Sequence, residues 1–286
     1  MHISDSAFEP FTLTAPRAPA LPLVCDSPHS GTTYPADFRF ALAPEVLRTG
    51  EDTHVHELWQ TVPDVGGTLI AAQFPRTYID PNREPDDIDV DLLDAPWPGV
   101  ARPSEKSRLG YGLIWKRSGG QLIYNRKLTV AEVQQRITRY HAPYHAAMGE
   151  AIEGAYKQFG AVWHLNLHSM PADSYEVLEI DSPHRLADFV LGDRDGTTCD
   201  PELVNVVERT LRAHGHTVAR NDPFKGVALI ARLGRPAERR HSLQIEIHRG
   251  LYMNETTFEK SKDFGTLQNT LTHVSEAVAD YIRSSL

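Results

Sequence analysis

The stretch Leu23-Val-Cys-Asp-Ser-Pro-His29-Ser-Gly31 constrains this chain most. It reads as a short buried strand, its first half in Leu21 to Cys25, that breaks at Pro28 and delivers a histidine into a glycine-containing turn. Proline has no N–H to give to a sheet ladder, so the strand must end there. Three later stretches have the residues to meet that histidine: Glu51-Asp52, Trp163-His-Leu-Asn-Leu-His168-Ser169 and Leu243-Gln-Ile-Glu246-Ile247. Together they offer histidine, carboxylate, histidine and a further carboxylate. Histidine and carboxylate are donors that suit a divalent metal. The pattern points to a mononuclear metal site, zinc first, with a carboxylate general base.

The rest of the chain tells what frame carries these residues. Pro44 sits in the first turn of a short helix over Ala43 to Arg48. Val55 to Val62 carries Val55, Leu58 and Trp59 at helical spacing and reads as a helix that Gly66-Gly67 stops. Thr68 to Phe74 is an apolar strand. Residues 84–110, rich in Asp, Pro and Ser, show no periodicity and read as a long functional loop. Gly112-Leu-Ile-Trp reads as a short strand, and Gly119-Gly120 as a turn before Gln121-Leu-Ile-Tyr. Thr129 and Glu132 spell a capping box for the clearest helix, which Pro143 interrupts or restarts before a run to about Phe159. Gly160 to His168 is a buried strand, and Ala187 to Gly192 another. Asp200-Pro201 opens a helix to about His214. His216 to Ala219 and Ser242 to His248 are strands, and a long helix lies after Thr257. Strands that alternate with helices predict an α/β fold with a mixed, mostly parallel central sheet flanked by helices. Ligands of such sheets sit at strand C-terminal ends. A chain of 286 residues suffices for one large domain, so residues 1–286 are expected as one, with residues 1–20 a polar surface arm.

Charge and composition exclude several classes. A net charge of −9 argues against a nucleic-acid partner. No apolar run reaches membrane-spanning length, and the first residues lack the basic and apolar regions of a signal peptide. Two cysteines, Cys25 and Cys199, make no disulfide framework and fit a cytoplasmic setting.

Each site candidate has a plainer alternative. His29 reads either as a ligand or as a loop histidine bonded to backbone. Glu51 or Asp52 is a candidate second ligand, although Asp52 also suits a helix N-cap. His54 and His56 read as supporting or surface residues. His164, Asn166 and His168 share a strand face, with His168 placed to be a ligand and Asn166 to orient a neighbour. Glu246 shares its face with Gln244 and His248. A carboxylate there must be paired, coordinated or protonated, which makes it the general-base candidate; its alternative is an ion pair with an arginine such as Arg249. In the loop after the Thr68 strand, Arg83 and Asn82 suit a substrate carboxylate, with Asp80 as the brace of Arg83. The alternative is that Arg76 and Asp80 pair.

The sequence resembles the N-formylglutamate amidohydrolases of histidine degradation. The matching stretches are Ser27-Pro-His-Ser-Gly31, Asp52-Thr-His-Val55, Arg76-Thr-Tyr-Ile-Asp-Pro-Asn-Arg83, Tyr140-His-Ala-Pro-Tyr-His145, Leu167-His-Ser-Met-Pro171, Leu191-Gly-Asp-Arg-Asp-Gly196, Asn221-Asp-Pro-Phe-Lys-Gly226 and Gln244-Ile-Glu-Ile-His-Arg-Gly-Leu-Tyr-Met253. The resemblance implies a zinc-carboxypeptidase-like sheet of about eight strands. It implies one zinc ion, or another divalent metal, held by His29, Asp52 and His168, with Glu51 the alternative acid. It implies Glu246 as the catalytic carboxylate and Asn82-Arg83 as the grip on one carboxylate of a small anionic amino-acid substrate. Arg76, Arg117, Lys225 and Arg249 are candidates for the second carboxylate. The implied reaction releases formate from N-formyl-L-glutamate. Its rivals are hydrolysis of another N-acyl amino acid or peptide, and a non-catalytic metal- or amino-acid-binding protein.

Overall fold

The computed structural model describes residues 2–4 and 8–286. Two nine-residue strands, Val162–Met170 and Arg240–His248, form its spine, because their sequences bury both faces. In chain order the strands are β1 (His2–Ser4), β2 (Phe11–Thr14), β3 (Leu23–Ser27), β4 (Thr33–Pro35), β5 (Thr68–Ala72), β6 (Arg117–Ser118), β7 (Gln121–Leu122), β8 (Val162–Met170), β9 (Phe189–Gly192), β10 (Val218–Arg220) and β11 (Arg240–His248). Seven of them make the central sheet, in the order β10-β9-β11-β8-β3-β5-β2. β3, β8 and β11 run parallel, and β9 pairs antiparallel with β11. The sheet is thus mixed and mostly parallel, as the alternation of elements predicts, with seven strands where the resemblance implies about eight.

The helices are α1 (Pro44–Arg48), α2 (Val55–Leu58), α3 (Glu105–Arg108), α4 (Val130–Arg136), α5 (Ala142–Phe159), α6 (Ser174–Val177), α7 (Pro201–Ala213), α8 (Ala228–Leu233) and α9 (Phe264–Ser285). The caps fall where the sequence places them. Thr129 and Glu132 form a complete capping box, and the Asp200 side chain accepts from the Glu202 N–H ahead of Pro201. Between α4 and α5, Ile137–His141 is a π-helical turn. Pro143 has no N–H for the carbonyl four residues back; the Ala142 N–H already reaches five back, to Ile137.

Contacts group the chain into two compact units that interleave in sequence. One comprises Met1–Thr12, Pro28–Thr53 and Ala71–Ala147. Its interior is aromatic: Tyr34, Phe38, Tyr78 and Tyr124 pack at ring-centroid distances of 5.2 to 6.0 Å. The buried Arg136 guanidinium lies 4.1 Å from the Tyr78 ring and donates to Tyr78 O and Tyr124 Oη. The other unit comprises Leu13–Ser27, His54–Ile70 and Met148–Leu286. Its core is mostly aliphatic. Leu165, Leu167, Leu243, Ile245 and Ile247 line one sheet face and pack with Leu203, Val204, Val207 and Leu211 of α7 and Leu267, Leu271, Val274, Val278 and Ile282 of α9. The 3-and-4 spacing on both helices makes this a continuous apolar stripe.

Three expectations change. Residues 1–20 are more than a polar arm: β1 pairs with β4, and β2 is an edge strand of the main sheet. Met1 and residues 5–7 of that arm lie outside the described residues. Gly112-Leu-Ile-Trp is no ladder strand. Its backbone bonds go to loops: the Leu113 N–H donates to Asp87 O, and Leu113 O accepts from Asp80 N–H. The Val55 helix ends at Leu58, and a 3-10 turn at Val62–Val65 follows. Residues 84–110 are mostly irregular, interrupted by a 3-10 turn at Val90–Leu92 and by α3. Among the described residues no helix is long and apolar enough to cross a membrane.

Candidate active site

His29 stands two residues beyond β3, where Pro28 has ended the strand. The turn admits only glycine at position 31, because a Cβ there would lie 2.3 Å from Phe74 O. His29 Nε2 bonds Asp80 Oδ1 at 2.8 Å. Burial alone would raise the Asp80 carboxyl, but the charges of Arg76 and Arg83 and the hydrogen bond from His29 overcome it and hold the group well below the usual carboxylate range. An ionised carboxylate only accepts, so His29 Nε2 carries the proton and Nδ1 the lone pair. That Nδ1 lies 3.4 Å from Asp52 Oδ2, and the backbone fixes the approach, since Asp52 N–H donates to His29 O.

His168 belongs to a polar face of the central strands. The parallel register sets Asp26 beside Asn166, Asn166 beside Gln244, and His168 beside Glu246. His168 Nε2 donates to Asn166 Oδ1 at 2.7 Å. Asn166 Nδ2 donates to Asp26 Oδ1, which also accepts from His164 Nε2, both at 2.8 Å. His164 Nδ1 then accepts from Ser242 Oγ. All five side chains are buried, and the chain of bonds gives His168 the same tautomer as His29, with Nδ1 unprotonated. Such outer partners orient ligands and fix their tautomers.

Each of His29, Asp52 and His168 offers one ligand atom, and these atoms lie within 4.8 Å of one another. Two imidazoles with their lone pairs preset, together with one buried carboxylate, form a donor set that fits a divalent ion of the zinc type. Glu51 does not share this arrangement. It is buried against Tyr34 Oη, Arg48 Nε and Thr53 Oγ1, all of which donate to it. His54 opens α2 in the left-handed region (φ 68°) and bonds Glu57 and Phe258 O. Burial pushes the half-buried His56 below the usual histidine range.

Glu246 is buried on β11. Gln244 Nε2 donates to its Oε1 at 2.7 Å, and Gln244 Oε1 accepts from the Val227 N–H. Backbone therefore fixes the amide, and the amide fixes the carboxylate. The remaining cations differ in how they are held. Asp80 braces Arg76 rather than Arg83: Arg76 Nη2 lies 2.9 Å from Asp80 Oδ2, and its guanidinium stacks 4.8 Å from the Trp115 ring. That replaces the sequence-based pairing of Asp80 with Arg83. Arg83 instead donates from Nε to Tyr111 O and from Nη1 to Asn82 O. Burial lowers its pKa, and the charge of Asp80 works against that shift. Asn82 is buried, with its N–H on Asp80 Oδ1. Arg249 is buried, with Nε toward Ser169 Oγ. Arg117 is exposed and donates to Gly120 O, and the exposed Lys225 pairs with Asp195. Sequence reasoning left Asp26 and the His141–His145 pair without roles. Alternation across β3, β8 and β11 was the signal for Asp26.

An α/β sheet together with buried His29, Asp52 and His168, whose ligand atoms lie within 4.8 Å of one another, defines an α/β protein with a candidate metal centre. The profile described as N-formylglutamate amidohydrolase matches residues 21–253. The chain belongs to that family. It is 65% identical to the crystal structure of N-formylglutamate amidohydrolase from Ralstonia eutropha JMP134, with a TM-score of 0.96 over 98% of this chain and 100% of the other. It is 26% identical to the N-formylglutamate deformylase of Pseudomonas putida over 240 residues, 82% of this chain and 83% of that protein. The gene product Atu2144 from Agrobacterium tumefaciens shares the fold, with a TM-score of 0.61 at 18% identity over 97% of this chain and 96% of the other.

Proposed function

We propose that this chain is a metal-dependent amidohydrolase that cleaves N-formyl-L-glutamate to formate and L-glutamate, the last step of a histidine degradation route in the cytoplasm. The observation that carries the chemistry is the register of β8 and β11. It sets the Glu246 carboxylate beside His168, whose ligand atom lies within 4.8 Å of those of His29 and Asp52. Family membership, and a 65% identical relative bearing that name, support the substrate. The buried free thiols of Cys25 and Cys199 fit a reducing compartment.

His29, Asp52 and His168 hold one divalent ion, zinc in the first instance. When bound, that ion supplies Lewis acidity, which polarises the formyl carbonyl and acidifies the attacking water. Glu246, oriented by the Gln244 amide, takes the proton from that water and passes it to the leaving amine as the tetrahedral adduct collapses. Arg83 and Asn82 grip one substrate carboxylate. Of the candidates for the other carboxylate, Arg249 is buried, Arg76 is committed to Asp80, and Arg117 and Lys225 are exposed. We therefore assign it to Arg249.

Formate release tests this reading. The purified protein is assayed with N-formyl-L-glutamate as isolated, after chelation and after zinc addition, with N-formyl-aspartate and N-acetyl-glutamate alongside. Activity lost on chelation, restored by zinc and selective for formylglutamate is expected. Bound metal with no formate from any of the three would overturn the substrate assignment.

A further inference from the structure

The motif Tyr140-His-Ala-Pro-Tyr-His145 takes no part in the chemistry above, yet its two histidines meet the loop that carries Asn82 and Arg83. His141 Nε2 lies 2.9 Å from Arg83 O, and His145 Nε2 lies 2.8 Å from Pro81 O. A carbonyl only accepts, so both rings carry their proton on Nε2. The rings stack with centroids 4.2 Å apart and planes tilted by 38°. Residues four apart on a helix share a face, which accounts for the stack. His141 is the last residue of the π-helical turn and is buried beside Tyr140. Such turns recur at functional positions.

The other bonds of the loop show what the histidines add. The Asn82 O accepts from the guanidinium of Arg83 itself, Asn82 N–H donates to Asp80 Oδ1, and Arg83 N–H donates to Asp80 O. Pro81 O and Arg83 O, the carbonyls on either side of Asn82, are the two groups held from outside the loop by this pair. We propose that His141 and His145 are positioning residues, a paired clamp that sets the aim of Asn82 and Arg83 toward the substrate carboxylate. This rests on the reading that Asn82 and Arg83 bind that carboxylate.

The clamp predicts a split in the kinetics. Replacing either histidine by leucine removes the donor and loosens the loop, so KM for N-formyl-L-glutamate rises by on the order of tenfold to a hundredfold, the scale of misplacing a binding group by about an ångström. The kcat falls less than KM rises, because His168 and Glu246 have supports outside this loop, while His29 alone is held from it, through Asp80. His141→Gln and His145→Gln restore an amide N–H donor and recover most of the loss, which a general packing defect would not. Amide hydrogen exchange of Asn82 and Arg83 accelerates in the leucine variants and not in the glutamine ones. Arg83→Leu is measured beside them. An unchanged KM there sinks the carboxylate reading, and amide exchange alone then decides the clamp. In the native enzyme, nitrogen NMR of the two rings reads the tautomer directly, which covers a variant that fails to fold. Both rings should be Nε2-protonated. Either ring found as the Nδ1–H form, or leucine variants with unaltered KM and unaltered exchange, would overturn the clamp.

Discussion

The reading of Glu246 as general base is tested at the residue itself. In the proposed reaction Glu246 is the base, and the Gln244 amide, which donates to its Oε1, orients it. Glu246→Gln keeps the shape and removes the proposed base. It should retain bound metal and lose kcat by about 10²- to 10⁴-fold, the usual contribution of a positioned acid–base group. Metal analysis beside formate kinetics checks this, and turnover near that of the unaltered protein would end the general-base assignment. Asn166 offers a second residue-scale test. Its Oδ1 accepts a hydrogen bond from His168 Nε2, so Asn166→Ala should weaken metal affinity by about 10- to 100-fold, read by competition with a chelating dye. The sequence could name these residues because strand alternation puts them on one face. It could not choose between Glu51 and Asp52, since adjacency says nothing of partners. Tyr34, Arg48 and Thr53 claim Glu51 from separate positions. Nor could it tell that the Asp80 carboxylate hydrogen-bonds His29 and the Arg76 guanidinium rather than that of Arg83, because either arginine lies within reach along the same loop.

At the scale of elements, what was legible follows local chemistry. The Thr129–Glu132 box and the Asp200-Pro201 start are short-range signals, and both helices begin where those signals stand. Gly112-Leu-Ile-Trp carries the composition of a strand but not its partners. Its backbone groups bond Asp87 and Asp80, a long-range outcome that an apolar run cannot announce. The capping box also makes a pH prediction. The paired Arg126 guanidinium is the largest influence on Glu132, and together with the Thr129 N–H it moves the carboxyl from the ordinary 4.5 to about 2, against the opposing pull of burial. A folded pKa below the unfolded one gives stability that is complete above the unfolded value. That stability drains away as pH falls through the folded value. The contribution should therefore be intact above about pH 5 and decline from there toward pH 2. Glu132→Ala should cost about 1 kcal/mol at neutral pH, and its difference from the unaltered protein should shrink on acidification. Urea melts at pH 7 and pH 3 check this. A difference that stays constant would show that Arg126 and the Thr129 N–H do not hold the Glu132 carboxyl down.

At the scale of the whole molecule, the proposed ligands come from segments far apart in sequence: 29, 52 and 168. Each ligand is placed by its own surroundings, His29 by Asp80, Asp52 by the His29 carbonyl, His168 by Asn166. Grouping of the chain into two interleaved units was not legible, because it depends on which distant segments touch. A ligand that binds only when all three segments are in place must stabilise the folded chain by mass action. An ion present at about 100 times its dissociation constant adds about 2.7 kcal/mol, worth roughly 5 °C in melting temperature for a chain of this size. Thermal melts of the protein as isolated, after chelation and after reloading with zinc should show that drop and its recovery. Glu246→Gln should show the same shift, since it leaves the donors intact, while Asp52→Asn should show a smaller one. Chelation that leaves the melting temperature of the unaltered protein in place would mean that His29, Asp52 and His168 do not jointly hold an ion. A full shift in Asp52→Asn would instead place the third donor elsewhere.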